Sequence, residues 1–263
     1  MPELPEVETI RRGVEPRVIG RKIIDVEIID KRNIKGISPA LLKKRLLGEK
    51  VVSVKREAKY LLFEMASGKY LVVHLGMTGR LLFKSDGYVK VIFHFSGGKS
   101  LYYSDARLFG KIRLFDKHPE LKLGPDPLLN SFKVADLKKI LGHRNTSVKV
   151  LLLDQKLIAG IGNIYANEAL FRAGIHPARK ANTLSDKEIM KLHDAIRSTL
   201  SDGVKYRGTS DSWYIDADGE KGAFQDHLKV YRKGEEPCLK CKTKIKRIVI
   251  GQRGTYYCPR CQK

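Results

Sequence analysis

The segment Asp154-Gln-Lys-Leu-Ile-Ala-Gly160-Ile-Gly162-Asn163-Ile-Tyr-Ala-Asn-Glu168 sets the reading of the second half of the chain. Apolar residues at helical spacing come before it (Leu137, Ile140 and Leu141, then Val148, Leu151 and Leu152) and after it (Ile164, Ala169 and Leu170), so a glycine-rich turn joins two helices. Asn163 is placed as N-cap of the second helix, which ends near Gly174. Backbone N–H groups at such a start, beside glycines that permit close approach, form a ready phosphate site. An αα-corner that only packs carries the same signature. Further on, Ser185-Asp-Lys-Glu188 is a capping box opening a helix through about Ser198.

Upstream the period changes. Residues 22–29, 51–56, 60–65, 70–75, 89–95 and 111–115 are short β-branched or aromatic runs bounded by turn residues, the pattern of an antiparallel sandwich or barrel. Leu123-Gly-Pro-Asp-Pro127 is stiff and reads as a linker. The expected architecture is therefore α+β with two domains: a β-rich part over 1–122, a linker over 123–130, a helical part over 131–228 and a small module over 229–263.

In that module Cys238-Leu-Lys-Cys241 and Cys258-Pro-Arg-Cys261 place four thiolates on two knuckles, the ligand set of one structural Zn2+ with no open position for water. Residues 245–250 and 255–257 read as two short strands joined at Gly251-Gln-Arg-Gly254, with Arg253 at the tip; the metal replaces a core too small to fold alone. Disulfides are the competing reading. They are disfavoured because Met1-Pro2-Glu3 lacks the basic and apolar regions of a secretory signal, so the expected compartment is the reducing cytoplasm.

The 263 residues carry 51 Lys+Arg against 29 Asp+Glu, a formal charge of +22. With 42% hydrophobic and 30% charged residues the chain has the composition of a globular protein rather than a disordered one, and no apolar run is long enough to span a membrane. Such a surplus attracts polyanions, nucleic acid first among them; a merely solubilising or heat-adapted surface is the alternative. Eleven of the basic residues lie in 229–263 against only Glu235 and Glu236, and this concentration points to a docking surface. No feature suggests an oligomer, so a monomer is expected.

The N-terminus, Met1-Pro2-Glu3-Leu4-Pro5-Glu6-Val7-Glu8, predicts a helix from Pro5 to about Ile19, with Glu6 and Glu8 at its positive end and Pro2 and Glu3 projecting just ahead of it. Initiator methionine is commonly removed before proline. That leaves a secondary amine whose pKa of about 7.7–8.0, typical of an α-amino group, keeps much of it neutral and nucleophilic. A plain frayed terminus is the other reading.

Taken together, Pro2-Glu-Leu-Pro-Glu-Val-Glu-Thr9, Ala58-Lys-Tyr-Leu61, His74-Leu-Gly-Met-Thr-Gly79, Gly160-Ile-Gly-Asn-Ile-Tyr165 and the zinc knuckles closely resemble the bacterial formamidopyrimidine-DNA glycosylases, over essentially the whole chain and in order. Leu4 points to this branch; the related endonuclease VIII group usually has Gly there. The resemblance implies an N-terminal antiparallel β-sandwich with flanking helices, a helix-two-turn-helix domain and a zinc-finger β-hairpin. It also implies a bifunctional repair enzyme acting on duplex DNA, removing 8-oxoguanine and formamidopyrimidines and then cleaving the abasic site by β,δ-elimination, with no obligate protein partner.

On this resemblance Pro2 is the Schiff-base nucleophile, Glu3 the acid on the sugar ring oxygen, and Lys59 and Arg253 the phosphate-gripping residues assigned to the eliminations. Met77, Arg107 and Phe109 match the wedge that fills the gap of a flipped nucleotide. His74, Arg144, Lys149 and Asn163 match backbone clamps. Where relatives carry His-x-His this chain has Tyr88-Val-Lys90, so Tyr88 stands at a phosphate contact of changed chemistry. The lesion-capping loop falls within Gly208–Gln225. An endonuclease-VIII-like glycosylase for oxidised pyrimidines and a non-catalytic zinc-module DNA binder remain as alternatives.

Overall fold

The structure is a computed structural model that describes residues 1–211 and 213–263. By contact the chain forms two compact units, residues 1–121 with 206–225, and residues 122–205 with 226–263. The segment 206–225, assigned from sequence to the helical part, thus packs with the N-terminal unit.

The first unit begins with helix α1 (Leu4–Val18), whose Val7, Ile10, Val14 and Val18 are fully buried at three- and four-residue spacing. Strand β1 (Ile23–Ile28) and a short helix α2 (Pro39–Leu46) follow; Ser38 caps α2 through its hydroxyl, which accepts from Leu41 N–H at 3.3 Å. Then come β2 (Val51–Glu57), β3 (Tyr60–Met65), β4 (Tyr70–His74), β5 (Gly79–Leu82), β6 (Val89–Phe95), β7 (Lys99–Asp105) and β8 (Lys111–Phe115). They form two antiparallel four-stranded sheets, ordered β1-β6-β7-β5 and β2-β3-β4-β8. One buried cluster, which includes Val26, Val54, Phe63, Val73, Phe93, Tyr103 and Ile112, fills the unit together with the buried stripe of α1, so the expected sandwich is present. Helix α2 and strands β5 and β7 lie outside the runs expected from sequence. β5 is only four residues long, and in β7 Leu101 and Tyr103 alternate with polar neighbours inside a Lys-Ser-rich stretch.

The second unit holds α3 (Val134–Leu141), α4 (Val148–Leu153), α5 (Asn163–Ala173), α6 (Asp186–Lys205) and a hairpin of β9 (Lys246–Ile250) and β10 (Arg253–Tyr257). Helix α5 ends at Gly174 in the left-handed region (φ 75°), as expected. The Ser185–Glu188 capping box is made, with Ser185 N–H donating to Glu188 at 2.9 Å. Helix α6 runs seven residues past the expected end at Ser198, because its buried stripe continues through Thr199, Leu200 and Gly203. No helix among the described residues is long and apolar enough to cross a membrane.

Candidate functional site

In the first unit Glu3 is the N-cap of α1, and its N–H donates to Glu6 Oε2 at 2.8 Å. The other oxygen of Glu6 accepts the N–H of Thr209 at 2.7 Å. One buried carboxylate therefore ties the start of α1 to the 206–225 segment, and Gly208, at φ +82°, lies so close that a Cβ there would meet Glu6 Cγ at 2.8 Å. Pro2 is buried and Glu3 is 2% exposed, so the pair is seated against the fold instead of projecting from it; Met1 is exposed. Glu8, one turn on, is held by Arg11, Arg12 and Arg56 at 2.9, 2.8 and 3.1 Å. Burial pushes its carboxyl pKa up, but the Arg11 and Arg12 hydrogen bonds and the charges of Arg11 and Arg56 outweigh this and bring it down to about 2.

Lys59 occupies the two-residue turn between β2 and β3, after Ala58 at φ 51°, and is buried. His74 ends β4, opposite both Tyr60 and Lys111, with its ring 4.8 Å from the Tyr60 ring. Burial, then the charges of Lys59 and Lys111, push its pKa to about 4. A neutral imidazole follows. Its Nδ1 accepts Gly76 N–H at 3.3 Å, which leaves Nε2–H as a donor.

The loop carrying Met77 and the loop carrying Arg107 and Phe109 are joined through Asp105. This fully buried carboxylate accepts from Thr78 Oγ1 at 2.5 Å, Gly110 N at 2.8 Å, Asn33 Nδ2 at 2.9 Å and Arg107 N at 3.2 Å. Gly76 is required where it stands, since at φ +65° a Cβ would meet the Phe109 carbonyl carbon at 2.6 Å, so the two loops touch backbone to backbone. Phe109 is half exposed with the Arg107 guanidinium 4.9 Å from its ring centre, and Met77 is partly buried. Tyr88 is 43% exposed but engaged edge-on with Trp213 at 5.7 Å; Arg80 lies 5.4 Å over the same indole and donates to the Trp213 carbonyl at 3.0 Å. Of the expected capping loop, Ser212 lies outside the described residues.

In the second unit the glycine-rich turn is braced by Gln155, whose amide accepts from Gly160 N–H at 2.9 Å and donates to Ile161 O at 2.8 Å. Gly162, not Asn163, is the N-cap of α5. The Asn163 side chain instead donates to the Gly254 carbonyl at 3.0 Å, and Asn167 accepts Tyr256 N–H at 2.8 Å, so α5 grips strand β10. Lys149 departs from its expected clamp role: it is fully buried, with Nζ donating to Thr255 Oγ1 at 2.7 Å and to Gly254 O at 3.2 Å. Its ammonium is consumed by the hairpin because α4 presents it inward. Arg253 is exposed and starts β10, paired with Ile250 across a two-residue turn in which Gly251 and Gln252 both have positive φ. Arg144, exposed after α3, donates to Ile140 O at 2.8 Å.

The four cysteine Sγ atoms lie within 4.8 Å of one another, with Cys238 and Cys261 at 3.9 Å and Cys241 and Cys258 at 3.4 Å. Tetrahedral Zn–S bonds of about 2.3 Å place sulfurs about 3.8 Å apart, so the donors fit one Zn2+. Gln262 supports the second knuckle, accepting Cys258 N–H at 2.8 Å. Asn33, Thr78 and Glu6 were not singled out from sequence as supports of the site. Asn33 is a lone polar residue whose partners lie 70 to 77 positions away.

Three family models match in chain order: the formamidopyrimidine-DNA glycosylase N-terminal domain over residues 1–112, the formamidopyrimidine-DNA glycosylase H2TH domain over 123–214, and the zinc finger found in FPG and IleRS over 235–263. The chain is 43% identical to a formamidopyrimidine-DNA glycosylase of Solibacter usitatus over the full length of both, and 44% identical to that of Symbiobacterium thermophilum, covering 89% of the latter. Among solved structures it is similar to the MutM (Fpg) protein of Thermus thermophilus, at 36% identity and a TM-score of 0.91 over 99% of this chain and 98% of that one. Lactococcus lactis Fpg bound to abasic-site DNA gives the same identity and TM-score over 99% of each chain. With sandwich, helical domain and four-cysteine finger all matched, the chain belongs to the formamidopyrimidine-DNA glycosylase family of enzymes.

Proposed function

We propose that this enzyme removes oxidised purines, 8-oxoguanine and formamidopyrimidines, from duplex DNA and cleaves the resulting abasic strand by β,δ-elimination. The observation that carries the reading is the Pro2-Glu3 pair, buried at the N-terminus of α1 and held through Glu6. In support, the similar Lactococcus lactis protein has been solved, as a point mutant, with DNA containing Fapy-dG, and also with DNA containing an abasic site.

The reaction requires that Met1 be excised, since the Pro2 nitrogen otherwise lies in a peptide bond. The freed amine attacks C1′ of the flipped nucleotide as the glycosidic bond breaks and its electron pair leaves with the base, which takes up a proton. Glu3 protonates the sugar ring oxygen as the ring opens to an iminium. The iminium acidifies the C2′ proton, whose loss expels the 3′ phosphate; a second elimination expels the 5′ phosphate. Lys59 and Arg253 neutralise these phosphates, and neutral His74 donates Nε2–H to another. Met77 and Phe109 fill the vacated stack while Arg107 hydrogen-bonds the orphaned base. In this division of labour the first unit, residues 1–121 with 206–225, carries the nucleophile, its acid and the wedge, and the second, residues 122–205 with 226–263, grips the phosphates of the duplex. The four cysteines hold a zinc ion that fixes the hairpin bearing Arg253.

Borohydride reduction in the presence of duplex 8-oxoguanine DNA is expected to trap the protein covalently through its N-terminal amine. No trapping from protein shown by mass spectrometry to lack Met1 overturns the catalytic reading. Trapping confined to oxidised-pyrimidine DNA transfers it to the endonuclease-VIII-like alternative.

A further inference from the structure

The outer face of the β2-β3-β4-β8 sheet bears a cleft that, His74 at its rim aside, the chemistry above does not use. Register places residues of one face in rows across three strands: Tyr60, His74 and Lys111 in one, Leu62, Val72 and Arg113 in the next. The cleft, of about 200 Å3, has buried Val72 at its base, the half-buried rings of Tyr60 and Phe115 beside it, and the exposed groups Lys111, Arg113 and Glu120 around it.

Lys111 and Arg113 stand two residues apart on β8, which is the edge strand of its sheet. Their Cα atoms are therefore roughly 6.6 Å apart and their side chains leave the same face. Among the described residues neither forms an ion pair, although Glu120 lines the same cleft. The nearby charges are already engaged, Arg45 with Asp116 and Glu57 with His118, and these contacts fasten the 116–118 segment. Two exposed cations with no ion-pair partner among the described residues, beside an apolar base and two aromatic rings, form a surface that favours an anion with an aromatic body.

We propose that this cleft is a nucleotide-binding subsite separate from Pro2, with a phosphate between Lys111 and Arg113 and the base against Val72 and Tyr60. Glu120 accepts an exocyclic N–H of the base, which favours guanine over thymine. The nucleotide comes either free or as one residue of a single strand.

The test is an amide NMR titration of the full-length, zinc-loaded protein at low ionic strength, with dGMP, the trinucleotide dG-dG-dG and inorganic phosphate as probes. Saturable shifts in β8, Val72 and residues 115–121 are expected with dGMP or the trinucleotide. A dGMP response identifies a free nucleotide as sufficient; a response to the trinucleotide alone assigns the site to a strand. K111Q and R113Q should each weaken binding roughly tenfold, the size of one charge-assisted hydrogen bond. Absence of saturable shifts, phosphate binding as tight as the nucleotides, or unchanged affinity in K111Q/R113Q overturns the proposal. Borohydride trapping should persist in K111Q/R113Q, so failure here is distinguishable from failure of the glycosylase reading.

Discussion

The ammonium of Lys149 donates to the hydroxyl of Thr255 across 2.7 Å inside the second unit, with no exposed surface on the lysine. It joins α4 to the strand that starts with Arg253. A phosphate clamp and a structural prop differ in how they respond to salt. Lys149→Met should lower stability by about 1–3 kcal/mol, the cost of leaving buried acceptors short of a donor. It should leave the slope of log affinity against log salt unchanged. Denaturant melts and DNA titrations at several salt concentrations check both.

Arg253 gives the opposite signature. It is exposed and follows a two-residue turn, so Arg253→Ala should leave the melting temperature nearly unchanged while reducing the salt slope by about 0.9, one phosphate contact. An unchanged slope would remove Arg253 from the phosphate interface.

His74 sets a pH window. Its folded pKa of about 4 lies below the unfolded value near 6.5, so between these limits the unfolded chain binds the extra proton. The contribution to stability is fully present above about 6.5 and is lost as pH falls toward 4. An NMR titration of the His74 ring should show a midpoint near 4, and the acid-side slope of stability should flatten in His74→Asn.

Glu8 acts lower on the scale. Its carboxyl, held at about 2, contributes stability above the unfolded value near 4.5 that disappears as pH falls through 2. Glu8→Gln should therefore destabilise at pH 7, through the loss of contacts to Arg11, Arg12 and Arg56, and the difference from the parent should shrink below pH 4. Equal destabilisation at pH 7 and pH 2.5, measured by urea unfolding, would contradict the ionic origin.

Zinc removal should melt the hairpin. The core there is small, built around Phe171, Val230 and Ile245 with two of the cysteines themselves. A chelator should abolish protection of the β9 and β10 amides from hydrogen exchange and weaken DNA binding. The strands of the sandwich should keep their protection.

Periodicity exposed the sandwich and the helical half because buried stripes repeat locally: every three or four residues in α1, every two in much of the sheets. It overlooked β5 and stopped α6 early, where four residues are too few to show a period and where Ser198, Ser201 and Gly203 resemble breakers although their neighbours stay buried. The knuckle spacing pointed to its metal, with disulfides as the competing reading, and the clustered Sγ atoms fit one ion. The supporting groups were illegible for a different reason: Glu6 reaches Thr209 and Asn33 reaches Asp105, contacts that exist only after the chain has folded across 203 and 72 positions. Lys149 shows the converse, a basic residue whose type suggested a surface role until burial assigned it an internal one.

Asp105 draws Thr78, Asn33, Arg107 and Gly110 onto one carboxylate, so the loop carrying Arg107 and Phe109 is ordered before any duplex arrives. For the proposed wedge this is a matter of kinetics as much as of affinity. A preorganised wedge loses little conformational entropy on insertion, and the barrier to flipping then lies almost wholly in unstacking the DNA. Asp105→Asn would move part of that barrier into the protein, slowing base extrusion in stopped-flow measurements more than it weakens the final complex.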